Sequence, residues 1–85
     1  MDDNYTPKIN CRFRIRQDIS GFIAFFETRG VLTFNEIGGF IMLQIDGGQS
    51  LGGISLLVKE KFPEVDDPML EVKYIMKELQ GQDLL

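Results

Sequence analysis

The stretch CRFRIRQDISGFIAFFETRGVLTF, residues 11–34, decides the fold. Its first six residues alternate, with Cys11, Phe13 and Ile15 on one side of an extended chain and Arg12, Arg14 and Arg16 on the other. A period of two marks a strand with one buried face. Gln17 to Gly21 reads as a turn by composition. Phe22-Ile23-Ala24-Phe25-Phe26 is apolar at every position. A run this short and aromatic reads as a central strand covered on both faces. Thr28-Arg29-Gly30 supplies a second turn, with glycine free to take a positive φ. Val31-Leu32-Thr33-Phe34 then forms a third short strand. Strands joined by short turns make an antiparallel meander in the order one-two-three. The third strand is therefore a sheet edge.

Downstream the period changes from two to that of a helix. Asn35 is a candidate N-cap for a helix from Glu36 to Asp46, with Ile37, Phe40, Ile41 and Ile45 at helical spacing. Gly38 and Gly39 each cost about 1 kcal/mol against alanine inside a helix. Glycines kept there predict close packing against a strand or another helix. Gly47-Gly48 ends this helix. Ser50 caps a second one with a stripe of Leu51, Ile54, Leu57, Val58 and Phe62, stopped by Pro63. Asp67 caps a third, with Pro68 in its first turn. Met69, Val72, Ile75, Met76 and Leu79 share one face of it. Leu70, Lys73, Tyr74 and Lys77 form a mixed stripe beside that face. The expected order is three strands followed by three helices, an α+β domain over residues 11–85. Residues 1–10, poor in apolar side chains, read as an extended, flexible lead-in.

The totals limit the function. Eighty-five residues leave room for one core. The net charge is -4, and it is unevenly placed: residues 1–30 hold five bases and four acids, residues 31–85 four bases and nine acids. An acidic C-terminal two-thirds is a poor surface for phosphate backbones, which are bound by Lys and Arg displacing counterions. No nucleic-acid partner is expected. One cysteine, Cys11, cannot form an internal disulfide, which fits a reducing, cytoplasmic setting. No signal peptide is expected, and no apolar run is long enough to span a membrane.

No catalytic set is expected. There is no histidine to act as a base or as a partner to Cys11. Metal-ligand spacing is absent, and no cofactor is implied. Asp2-Asp3 lies in the lead-in. Asp66-Asp67 lies at a helix start, where acids are favoured by the helix dipole. Gly47-Gly48 and Gly52-Gly53 lack the lysine of a phosphate loop. What remains is surface. An edge strand offers unpaired backbone donors and acceptors to which an extended peptide can add as a further strand. Should the third helix lie beside that edge, Leu70 and Tyr74 would supply apolar contact, and Lys73 and Lys77 would attract acidic guest side chains.

The stretch from Gly21 to Ile54, GFIAFFETRGVLTFNEIGGFIMLQIDGGQSLGGI, resembles the pyrroloquinoline quinone biosynthesis protein D family, PqqD-like proteins that serve as recognition elements for ribosomally made precursor peptides. The resemblance is carried by Phe34-Asn35 closing the third strand, by Asp46-Gly47 ending the first helix, by Ser50-Leu51 with Ile54, and by the close at Leu79 and Leu84-Leu85. It implies a winged helix-turn-helix-like fold. It implies a leader peptide bound as an added strand between the third strand and the third helix, on Val31, Leu32, Thr33 and Phe34 with Leu70, Lys73, Tyr74 and Lys77 opposite. It implies delivery of that precursor to a modifying enzyme, often a radical S-adenosylmethionine enzyme. Phe34 stands where the family usually has leucine, and the glycine pairs stand where helix formers are commoner. The alternatives are a winged-helix DNA-binding regulator and a dimerising scaffold subunit. A monomer or a weak homodimer is expected, since apolar edges self-pair.

Overall fold

The computed structural model describes residues 2–85. Three strands come first: β1 (Phe13–Asp18), β2 (Gly21–Phe26) and β3 (Gly30–Phe34). Three helices follow: α1 (Glu36–Asp46), α2 (Leu51–Lys61) and α3 (Pro68–Gly81). The sheet is antiparallel in the order β1-β2-β3, so the α+β architecture and the meander are as expected. No helix among the described residues is long and apolar enough to cross a membrane.

Two strand boundaries move. Gln17 and Asp18, expected in a turn, pair with Phe22 and Gly21, so the turn shrinks to Ile19-Ser20. The tight return depends on Gly21, which takes φ 151° and packs against the Phe34 carbonyl, where a side chain has no room. At the other end β1 starts at Phe13 rather than Cys11, because β2 turns away after Phe26. One last rung remains there, Glu27 N–H donating to the Arg12 carbonyl at 2.9 Å.

The inner face of the sheet carries Phe13, Ile15, Phe22, Ala24, Phe26, Leu32 and Phe34, set side by side by the register. Phe13 and Phe26 stack with ring centroids 5.6 Å apart. The outer face lacks the second layer expected over β2. Ile23 and Phe25 are half-buried there, in rows with Arg16 and Thr33 and with Arg14 and Val31. Their cover is partly the arginines themselves: the Arg16 guanidinium lies 5.8 Å from the Phe25 ring centroid. Arginine shields apolar surface with its stem and keeps its charge in water. An all-apolar run thus sits in a sheet with only one packed face.

The helices pack on the inner face, and their glycines are where they touch. Gly39 rests directly on Phe22, and Gly38 lies between Ile75 and Phe34; a methyl group at Gly38 would come within 3.2 Å of Ile75 Cδ1. Both glycines meet the close packing that their helical positions predict, one against a strand and one against another helix as well as β3. Caps form at all three helix starts: Asn35 Oδ1 accepts from Gly38 N–H at 2.8 Å, Ser50 Oγ from Gly53 N–H at 3.1 Å, and Asp67 Oδ1 from Leu70 N–H at 3.1 Å. The core closes around Ile41, Met42, Leu51, Ile54, Val58, Val72 and Leu79.

The chain ends contribute more than composition suggests. Met1 lies outside the described residues. The carbonyls of Tyr5 and Asp3 accept from Leu51 and Gly52 N–H, both at 2.8 Å, so the lead-in supplies partners for donors that the first turn of α2 leaves free. Gly52 lets the Asp3 carbonyl approach. Pro7 is buried, Asn10 N–H donates to the Leu84 carbonyl at 2.9 Å, and Leu84 is itself in the core. Deleting residues 1–6 is therefore expected to cost about 1–2 kcal/mol, two net hydrogen bonds. For a domain of this size that is a fall in Tm of roughly 5–15 °C. A thermal melt with no change would show the two helix-start bonds to be idle.

Candidate functional site

Beside the free edge lies a groove of about 580 Å³ between the end of β3 and α3. Its lining comes from three elements. Thr33, Phe34 and Asn35 form one wall, Ile37, Gly38 and Ile41 of α1 the floor, and Leu70, Glu71, Tyr74, Ile75 and Glu78 of α3 the other wall. The backbones of β3 and α3 stay apart: no Cα of one comes within 8 Å of a Cα of the other. Neighbouring strands lie about 4.8 Å apart, so the open side of β3 has neither a strand nor a helix backbone at that distance.

The edge itself is polarised by the ladder. The Phe34 carbonyl faces Gly21 and so points into the sheet. In an antiparallel pair the residues alternate between bonding inward and leaving their N–H and C=O outward. Leu32 and Phe34 therefore spend their backbone groups on β2, while Val31 and Thr33 present theirs to the open side.

At the hairpin end the groove has a boundary. Arg29, in the β2–β3 turn, donates from Nη2 to Gln82 Oε1 at 2.9 Å, tying the start of β3 to the end of α3. At the other end, near Asn35 and Leu70, the side chains are exposed. Leu70 and Tyr74 stand on the rim, 63% and 71% exposed. Large apolar side chains held at a rim above an apolar floor are the arrangement in which a burial contribution waits for a partner.

Of the eight residues expected to form the site, four line the groove: Thr33, Phe34, Leu70 and Tyr74. Val31 and Leu32 lie further along β3, Val31 exposed and Leu32 half-buried toward the core. Lys73 and Lys77 are exposed and do not line it; Lys77 borders a separate shallow depression with Tyr74, Glu78, Gly81 and Gln82. In their place the wall carries Glu71 and Glu78. Helix geometry explains the exchange. At about 100° per residue, Glu71 and Glu78 lie about 60° and 40° from Tyr74 on the side of Ile75, whereas Lys77 and Lys73 lie about 60° and 100° to the opposite side. Sequence reasoning also missed the floor. Ile37 and Ile41 read as core, and the signal that marked their neighbourhood was Gly38.

The arginine row is elsewhere. Arg14 and Arg16 lie on the outer face of the sheet, one strand removed from β3, and Arg12 precedes them. Among the described residues no group of three or more His, Cys, Asp or Glu side chains is placed to hold a metal ion. Comparison with known protein families, curated proteins and solved structures gives no match for this chain.

Proposed function

We propose that this chain is a non-catalytic recognition module that binds the leader segment of a ribosomally made precursor peptide as a fourth strand on β3 and presents it to a modifying enzyme. The observation that carries the reading is the open edge of β3 facing α3 across an apolar-floored groove. Strand addition takes its affinity from main-chain hydrogen bonds and its selectivity from pockets for alternate side chains. Val31 and Thr33 offer the first, and the apolar floor between Ile37 and Ile75 offers the second. The resemblance to PqqD-like proteins supports the same site, since it implies a guest between the third strand and third helix in a winged helix-turn-helix-like fold. It also implies a modifying enzyme as the recipient, often a radical S-adenosylmethionine enzyme. The setting on this reading is cytoplasmic.

A titration of isotope-labelled protein with leader segments of short precursor peptides tests it. Amide shifts confined to Val31–Phe34 and Leu70–Glu78, with a dissociation constant of roughly micromolar or below, are the expected result. A well-dispersed spectrum in which the β3 amides stay still against every leader tried would remove the edge from the site. A DNA-binding role has α3 as its reading helix, but Asp66, Asp67, Glu71 and Glu78 crowd that helix with negative charge.

A further inference from the structure

We infer that the guest of this groove is an extended peptide alternating large apolar residues with basic ones, rather than an acidic segment. This rests on the strand-addition reading above. The floor sets the first half. Phe34, Ile37, Ile41 and Ile75 surround Gly38 and make the floor apolar, so a guest leucine, isoleucine or phenylalanine laid on it gains burial. Side chains of an added strand point to this floor at every second position.

The wall sets the other half. Both charged side chains lining the groove are acids, Glu71 and Glu78. They stand seven residues apart on α3, about 10.5 Å along its axis. The intervening side chains of the guest point away from the floor and repeat about every 6.8 Å, so lysine or arginine there must bend over the rim, and the length of its stem covers the difference between the two spacings. The nearby cations do not offset this pair. Lys73 lies on the opposite side of α3, Lys77 lies outside the lining, and Arg29 is held outside it too, at the hairpin end, by its bond to Gln82 at 2.9 Å. Exposed ion pairs each add little affinity, so the two acids select among guests rather than create the binding.

The test uses the full chain and three synthetic peptides of equal length. They share one apolar frame and carry Lys, Gln or Glu at all the intervening positions. Affinities and the amide shifts of Val31 and Thr33 are measured in low salt and in high salt. The expected order is Lys, then Gln, then Glu, with about a tenfold gap between the extremes in low salt, closing as salt is raised. The double variant Glu71→Gln/Glu78→Gln, both sites being outside the core, is expected to keep its fold and to lose most of that gap. A Glu peptide that binds as tightly as the Lys peptide while moving Val31 and Thr33 overturns the charge inference and leaves strand addition standing. A Lys preference that survives unchanged in the double variant overturns it too, because it then comes from the net charge of -4 and not from this wall. Failure of all three peptides to move the β3 amides overturns the inference together with the proposed function.

Discussion

Gly39→Ala is expected to destabilise the domain by about 3 kcal/mol, the reverse of what helix propensity alone would give. In an open helix interior the change from glycine to alanine gains about 1 kcal/mol. Here the added methyl would land on Phe22, against its Cβ, Cγ and Cδ2. These atoms are the root of the side chain, so a rotamer change does not clear them, and α1 must lift from the sheet. Lifting α1 loosens Ala24, Ile41 and Met42 together, all fully buried. A loss of this size lowers Tm by roughly 12–24 °C in a domain of about 85 residues. Gly81→Ala is the matched control. It lies within α3 with nothing near its missing Cβ, and it is expected to hold or slightly raise Tm. Pairing Gly39→Ala with the smaller Phe22→Ala should recover part of the loss, which a general helix effect would not do. A melt in which Gly39→Ala matches or exceeds the parent would mean that α1 does not rest on Phe22.

That contact also shows how far the fold was legible. The alternation of Cys11 to Arg16, the caps at Asn35, Ser50 and Asp67, and the stripes of the helices are local signals, and the elements they mark all form. The glycine pair in α1 was legible as a close approach, because a cost carried inside a helix needs a packing reason. What failed was non-local. An apolar run says that a strand is shielded, but not whether a second layer or two arginine stems do the shielding, so the bare outer face over Ile23 and Phe25 was out of reach. The hydrogen bonds that α2 donates to the Asp3 and Tyr5 carbonyls join residues nearly fifty positions apart and use backbone groups, which composition does not encode. The site divides in the same way. A free third edge follows from strand order, and an exposed Leu70 and Tyr74 follow from the α3 pattern. The shoulder of α3 that turns toward β3 depends on how the helix is rotated against α1. Two shoulders flank its core stripe, one bearing Glu71 and Glu78 and the other Lys73, and periodicity alone treats them alike. The placement of Ile75 against Gly38 settles the rotation and with it the sign of the wall.

The edge carries the second large effect, and it separates two neighbouring residues. Thr33→Pro is expected to weaken guest binding by roughly 10–100-fold while changing stability by about 1 kcal/mol or less. Its N–H points to the open side, so removing it breaks no rung of the sheet but takes away one of the main-chain donors a guest strand would use. The proline ring then stands where the guest's carbonyl would approach. Leu32→Pro, one residue earlier, is expected to do the opposite. Its N–H is spent on β2 opposite Ala24, and its half-buried side chain packs on the core. Losing both should cost about 3 kcal/mol or more of folding stability before any guest is added. The pair is therefore read twice, by thermal melt and by titration with one leader peptide. Loss of binding in a Thr33→Pro protein that melts like the parent is the signature of strand addition. Full binding by that protein would place the guest elsewhere. The helix wall would then have to hold a peptide through Leu70 and Tyr74 alone, with Leu70→Ala and Tyr74→Ala abolishing binding and the β3 amides unmoved.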